Sequence, residues 1–470
     1  MSILIKNGQL ATPHQVSIAD LYIENELIAG IGKNLPSHAD IIIDAAGKQV
    51  IPGGIDVHTH LEAPVGGMIS SDDFETGTKA AAFGGATCII DFATQAKGEH
   101  LSDVLAAWKS KALKAVTDYG FHMILVDMPG DRLGEMDEMV EAGVTSFKIF
   151  SAYPGVLMID DTTILRIMER VRKLDALVAV HAENGGAIEY LVRQALAAGR
   201  TAPIEHALTR PDITEAEATH RLIALAQIAG IPLYVVHVTC ARSLKIITEA
   251  REAGIPVFAE TCPQYLFLSI NDLRRPGFEG AKYVFTPPLR EPTDQESLWQ
   301  GLQNGNLQVV STDHCPFFFE TQKRAGLSDF TKIPNGGPGI ENRMQLMYHH
   351  GVNKNRLSIN QWVDLVSTNP AKLFGLFPKK GVLQVGSDAD VVIWNPKKEH
   401  TISASSHHMR VDYSMYEGMS VVGNAETVIS RGEVIVDRNT WLGKPGRGRF
   451  QKRQRFNANQ LSQPVTKRMA

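Results

Sequence analysis

Cysteine is scarce in this chain: there are four in 470 residues, Cys88, Cys240, Cys262 and Cys315, with no Cys-x-x-Cys pair among them. That scatter argues against a disulfide framework, and each thiol lies in or just after an apolar run, as buried free thiols do. A cytoplasmic location is the expectation. Long hydrophobic runs are missing too. None approaches the roughly 18 apolar residues that span a bilayer, so no membrane partner is expected. The N-terminal Met1-Ser-Ile-Leu-Ile-Lys-Asn-Gly8 reads as a strand and lacks a signal peptide's charged-then-apolar layout. Nor does one sign of charge dominate: 47 basic against 51 acidic residues leave a net −4, which gives no general attraction to nucleic acid or anionic membrane. A composition 44% hydrophobic and 21% charged is that of a soluble globular protein. The length allows one large domain or several ordinary ones.

What the chain does have is alternation. Residues 1–50 read as short strands parted by turns, in Ile3-Leu-Ile-Lys-Asn-Gly8, Ser17-Ile-Ala-Asp-Leu-Tyr-Ile23 and Asp40-Ile-Ile-Ile-Asp44. The same texture returns in Ala389-Asp-Val-Val-Ile-Trp394 and over residues 426–437. Neither half looks large enough for its own core. The two are expected to pack as one small β-sandwich domain, residues 1–50 with 380–440, around an inserted middle. That middle, residues 51–379, alternates nearly continuous apolar runs (51–57, 86–92, 119–126, 144–150, 176–182, 231–239, 255–260 and 307–312) with helix-like stretches such as 73–83, 101–116, 161–174, 216–229 and 241–253. Eight buried strands alternating with helices predict an α/β fold of the (β/α)8 TIM-barrel kind. A doubly wound open sheet is the alternative, but no Gly-x-Gly-x-x-Gly follows the first strand.

In such a barrel, chemistry gathers at the C-terminal ends of the strands, and there the sequence turns polar. Ile51-Pro-Gly-Gly-Ile-Asp-Val-His58-Thr-His60 ends in two histidines that share one face of a strand and offer two imidazoles to a metal ion. Lys148 interrupts the apolar run 144–150. His181 ends the fifth run, His237 falls near the end of the sixth, and Asp313 follows the eighth in Ser311-Thr-Asp313-His-Cys-Pro316. Each alone has an ordinary use: a core histidine for His181 or His237, a helix cap for Asp313, a rim-seeking side chain for Lys148. All six at one mouth predict a dinuclear metal centre. Lys148 is the informative member, because burying an unpaired ammonium is costly and lowers its pKa. Its neutral amine can take up CO2 to become a carbamate, an anion able to bridge two ions.

A set of motifs adds a second line of reading. His58-Thr-His-Leu-Glu62, Ser71-Asp-Asp-Phe-Glu-Thr-Gly-Thr78, Phe147-Lys-Ile-Phe150, His181-Ala-Glu-Asn184 and Glu260-Thr-Cys-Pro-Gln-Tyr-Leu266 belong to it. So do Pro287-Pro-Leu-Arg290, Thr312-Asp-His-Cys-Pro-Phe317 and Asn335-Gly-Gly-Pro-Gly-Ile-Glu-Asn-Arg343. From about residue 3 to residue 450 the chain resembles the cyclic amidohydrolases, most closely the dihydropyrimidinase/hydantoinase branch. The resemblance implies hydrolytic opening of cyclic ureides, 5,6-dihydropyrimidines or 5-substituted hydantoins, to N-carbamoyl amino acids. It implies one ion on His58, His60 and Asp313, the other on His181 and His237, and a carboxylated Lys148 between them. Zinc is the usual ion, with manganese or cobalt as substitutes, and the assembly a homotetramer or a homodimer. It further gives Tyr153 a hydrogen bond to the developing oxyanion, and Asn335 and the main chain of Thr286 the task of holding the ring's amide edge. Thr286 stands where the family usually has Ser, a change a main-chain contact survives. Two metal ions lower the pKa of a water they share, and Asp313 is then placed to take its proton and pass it to the departing ring nitrogen. Ala63-Pro-Val65 and Tyr153-Pro-Gly-Val-Leu-Met158 lie where related enzymes shape the pocket for the ring's side group. The natural substrate stays open among dihydrouracil, a substituted hydantoin and another ureide.

Dihydroorotase and allantoinase are the enzymatic alternatives. The first motif of dihydroorotase resembles His-x-His-x-Arg, the arginine clamping a substrate carboxylate; here residue 62 is Glu, which is expected to repel one. The matches outside the metal site disfavour allantoinase. A non-catalytic scaffold of the same fold would lack several ligands, and all six are present. Lys444-Pro-Gly-Arg-Gly-Arg-Phe-Gln-Lys-Arg-Gln-Arg455 carries six basic residues and no acid. It reads as part of a solvated or subunit-bridging extension, residues 441–470, rather than a nucleic-acid arm. Removal of residues 445–470 is expected to weaken an oligomer and spare the metal site.

Overall fold

Each of the eight apolar runs becomes a strand of one parallel sheet in the computed structural model, which describes residues 1–461. In chain order these are β1 (Gly54–Thr59), β2 (Ala86–Thr94), β3 (Asp118–Ile124), β4 (Ser146–Phe150), β5 (Leu177–His181), β6 (Leu233–Val235), β7 (Val257–Thr261) and β8 (Val309–Val310). Sequence neighbours pair throughout. Every residue of these strands is buried except Thr94, which is why they read as unbroken apolar runs and not as alternating ones. Beyond β8 the chain returns to β1: His60 N–H donates to His314 O at 2.8 Å, and His314 N–H to His58 O at 3.3 Å.

Helices stand between successive strands, and the helix Asp161–Leu174 shows how the sequence makes them. Ile164, Ile167, Met168, Val171 and Leu174 recur at three- and four-residue spacing and are buried, while Asp160 caps the first turn by accepting from Thr163 N–H. Arg172 and Lys173 sit in the last turn, where the helix dipole favours cations.

The two ends of the chain share a second sheet of nine strands. Its order runs from Thr440–Trp441 through Glu433–Asp437, Ser420–Ser430, Val391–Thr401, Gln49–Pro52, Ser2–Ala11 and Val16–Glu24 to Leu27–Gly32, with Ile41–Asp44 pairing beside Ser2–Ala11. The halves meet where Val391 pairs antiparallel with Pro52 and Trp394 with Gln49. Ile3, Ile5, Ile23 and Val50 from one half bury against Val391, Ile393 and Ile429 from the other, a core that neither half makes alone. A buried ion cluster ties the sheets together. Lys380 Nζ lies 2.8, 2.9 and 2.7 Å from the carboxylates of Asp118, Asp388 and Asp390, and Arg431 Nε is 3.0 Å from Asp118.

The basic segment after residue 443 departs from expectation. Lys444, Arg449, Lys452 and Arg455 are exposed as expected, but the main chain is docked under the starts of the parallel strands and Gln451 and Arg453 are buried. Tyr119 N–H donates to Arg449 O, Gln451 N–H to Tyr119 O, Arg453 N–H to Gly143 O and Phe456 N–H to Asp175 O. Arg453 is buried, its guanidinium donating to Phe121 O and Ser146 Oγ. Buried carbonyls at strand starts need donors, and this segment supplies them. The rest of the expected extension, residues 462–470, lies outside the described residues.

Candidate active site

The mouth at the C-terminal strand ends brings the six expected side chains together from five strands. β1 carries His58 and leads to His60; β4 carries Lys148 and β5 ends in His181. His237 was expected within a strand over 231–239, but β6 stops at Val235 and His237 lies just beyond it. Asp313 follows β8. His58 Nε2 and His60 Nε2 lie 3.1 and 3.2 Å from Asp313 Oδ1, with one ligand atom from each of the three within 4.8 Å of the others. Lys148 Nζ is 3.1 Å from His58 Nε2. Across the mouth, His181 Nδ1 meets His237 Nε2 at 2.9 Å, and the His58 and His237 rings stack with centroids 5.5 Å apart. Tyr153, His237 and Asp313 hold φ angles of 64°, 39° and 51°. Left-handed backbone is uncommon for such residues and collects where a side chain must be aimed.

Outer partners decide which imidazole nitrogen faces inward. Glu260, at the end of β7, holds His58 Nδ1, and its other oxygen accepts from the Tyr234 hydroxyl at 2.8 Å. Glu183 Oε2 lies 2.7 Å from His181 Nε2. With protons on those nitrogens, His58 Nε2 and His181 Nδ1 turn lone pairs to the mouth. The sequence reading gave neither glutamate a role, although the signal is there. Glu260 is a carboxylate ending an apolar run, and Glu183 stands two residues after His181.

Burial lowers the Lys148 amine to about 8, with Asp313 and Glu260 opposing it only in part. Burial likewise takes His60 down to about 4 and His237 well below its usual value, which leaves both neutral at pH 7, the form that binds cations. Burial pushes the Asp313 carboxyl up, but the adjacent His58 and His60 outweigh it and hold the group well below the usual carboxylate range. Burial also pushes Glu183 up, yet Arg210 and His181 bring it to about 2. Imidazoles neutral at His60 and His237, a carboxylate ionised at Asp313 and an amine whose pKa burial has lowered make a donor set that fits divalent transition metals.

One wall of the mouth carries the remaining expected residues. The Tyr153 ring lies 5.6 Å from that of His181, and burial pushes its hydroxyl up to about 12, so it keeps its proton through neutral pH. Asn335 Nδ2 donates to Thr286 Oγ1 at 2.9 Å. A cavity of about 250 Å³ is lined by Tyr153, Pro154, His206, Arg210, Phe330 and Asn335, among others. Glu62 is not free to meet a substrate: its carboxylate lies 2.8 Å from Lys114 Nζ and accepts from Phe74 N–H. The expected repulsion of a substrate carboxylate by Glu62 is therefore replaced by a simpler point, that no arginine clamp stands at this position.

Residues 49–435 match the model of the Amidohydrolase family. The chain is 52% identical over 469 residues to a D-hydantoinase of Geobacillus stearothermophilus, across 99% of this chain and 100% of that one. It is 51% identical over 453 residues to a D-hydantoinase of Streptomyces coelicolor, across 95% and 97% of the two chains. Among solved structures, a dihydropyrimidinase from Brevibacillus agri superposes with a TM-score of 0.96 at 51% identity, over 97% of this chain and 100% of that one.

Proposed function

Since the chain belongs to the amidohydrolase family, in its D-hydantoinase/dihydropyrimidinase branch, we propose that it opens the ring of a cyclic ureide by hydrolysis. The substrate is a 5-substituted hydantoin or a 5,6-dihydropyrimidine, and the product an N-carbamoyl amino acid. The observation that carries this reading is the convergence of His58, His60, Lys148, His181, His237 and Asp313 at one mouth. His58, His60 and Asp313 would hold one divalent ion and His181 and His237 a second, with a carboxylated Lys148 between them. Zinc is the first choice, manganese or cobalt the substitutes. Such ions supply an activated water and polarise the carbonyl under attack.

The chain's own groups do the rest. Asp313, ionised at neutral pH, accepts the proton of the attacking water and delivers it to the departing ring nitrogen. Tyr153 keeps its proton and donates to the carbonyl oxygen as that atom gains charge. Asn335 and the main chain of Thr286 hold the ring's amide edge. Glu260 and Glu183 keep His58 and His181 turned to the mouth. Phe92 and Phe150 lie under the Lys148 amine, at 4.4 and 5.1 Å from its Nζ to their ring centres, and keep water from that side.

The parallel sheet, continued from β8 to β1 through His314, supports a closed (β/α)8 barrel over residues 51–379. The nine-stranded sheet and its shared core support a sandwich made by 1–50 and 380–440, with 441–470 as an extension. A cytoplasmic homotetramer, or homodimer, is the assembly we infer, with the exposed Leu208, Ile213 and Ile228 as candidates for a subunit face. No helix among the described residues is long and apolar enough to cross a membrane. The test is turnover by metal-loaded enzyme on hydantoin, a 5-arylhydantoin, dihydrouracil, dihydroorotate and allantoin. Opening of the first three is expected. Turnover confined to dihydroorotate or allantoin would sink the reading.

A further inference from the structure

Lys323 takes no part in the chemistry above, yet it is fully buried, and among the described residues no carboxylate lies within ion-pair distance of its ammonium. Its Nζ donates instead to two main-chain carbonyls, Val284 O and Pro334 O, each at 3.1 Å. Pro334 immediately precedes Asn335, and Val284 stands two residues before Thr286. These are the two residues proposed to hold the ring's amide edge. Residues 284–291 and 333–336 lie in no helix or strand, so neither segment has a ladder to fix its carbonyls. Few bonds join the two segments directly: Gly336 N–H donates to Val284 O at 3.0 Å, and Asn335 Nδ2 to Thr286 Oγ1 at 2.9 Å. His206 Nε2 lies 3.0 Å from Phe285 O and steadies the first segment from its other side. An apolar side chain of lysine's size would fill the space under these loops without the cost of burying an ammonium. Burial lowers that ammonium to about 7, and only the Cys315 thiol opposes the shift.

We propose that Lys323 is a positioning residue for substrate binding: it joins the segment before Thr286 to the segment before Asn335 and so sets the spacing at which the ring's amide edge is held. The inference rests on the ring-opening reading. Hydantoin and dihydrouracil share that edge, so Lys323→Met is expected to raise KM about tenfold for both, the scale of one hydrogen bond's loss. The value of kcat stays within about twofold and metal content is unchanged. Lys323→Gln, whose amide still donates, recovers part of the KM. In an Asn335→Ala background Lys323→Gln adds little, because the group it positions is gone. Hydrogen exchange supplies a readout independent of turnover: Gly336 N–H exchanges faster in Lys323→Gln than in the parent, beyond any global change. A lowered Tm with unchanged KM and unchanged Gly336 exchange would overturn the proposal, as would a fall in kcat at constant KM. If the parent enzyme opened none of the rings, the ring-opening reading would fall while Gly336 exchange still decided whether Lys323 joins the segments.

Discussion

Asp313 and Lys148 stand at the same mouth with opposite electrostatic problems. The carboxylate is held ionised by His58 and His60, so Asp313→Asn would remove the proposed base and ligand at nearly constant volume. We expect kcat to fall by at least about 100-fold, the usual worth of a positioned proton acceptor, with circular dichroism unchanged; near-normal turnover would remove Asp313 from the base's role. Lys148 must lose its proton before its amine can take up CO2. With a value of about 8, roughly a tenth of the amine is neutral at pH 7 and nine-tenths at pH 9. Metal-depleted enzyme given zinc at constant CO2 pressure should therefore regain activity about tenfold faster at pH 9 than at pH 7. A flat profile would argue against carboxylation as the slow step. At this scale the convergence of the six side chains was legible, because strand ends gather them and period two puts His58 and His60 on one face. The orienting glutamates were not. His58 and Glu260 are 202 residues apart in the chain, and which imidazole nitrogen turns inward is settled only by that contact.

Among elements, the eight parallel strands could be read because burial on both faces leaves unbroken apolar runs, whereas the docking of segment 444–456 could not, for a physical reason. A run of lysine and arginine looks wholly solvated unless one knows that Phe121 within β3, and Gly143 and Asp175 before β4 and β5, present carbonyls to it. Sequence shows the donors and hides the acceptors. The consequence can be measured. Each buried bond of this segment is worth about 1 kcal/mol, so a chain ending at residue 443 should lose on the order of 5 kcal/mol and unfold at a clearly lower temperature. The damage falls on the parallel sheet itself, not only on an oligomer. If that truncated chain kept its Tm and metal content and merely dissociated, the solvated reading would return.

For the whole molecule, the question is whether the two sheets behave as one cooperative unit. Their textures in the sequence announced that the two chain ends belong together, but the ion cluster that fastens their sheet to β3 could not be read, since Asp118, Lys380 and Asp390 look like ordinary surface charges. Burial pushes the Asp118 carboxyl up, yet Lys380 and Arg431 outweigh it and hold it below its usual range. Lys380→Met leaves Asp118 to Arg431, Asp388 to Lys379 and Asp390 with no side-chain cation among the described residues, and breaking a buried ion cluster in this way costs about 3–5 kcal/mol. The sign with pH follows from linkage. A carboxyl with a lowered folded-state pKa contributes stability above its unfolded value, and that contribution is lost as pH falls through the folded value. The deficit of Lys380→Met should thus be largest near pH 7 and shrink as Asp118 becomes protonated, because a neutral carboxyl needs no counter-ion. Calorimetry at pH 7 should show one transition in the parent and two in the variant, as the sheets come apart separately. A deficit of equal size at pH 7 and pH 3.5 would mean that lost packing rather than charge had been measured.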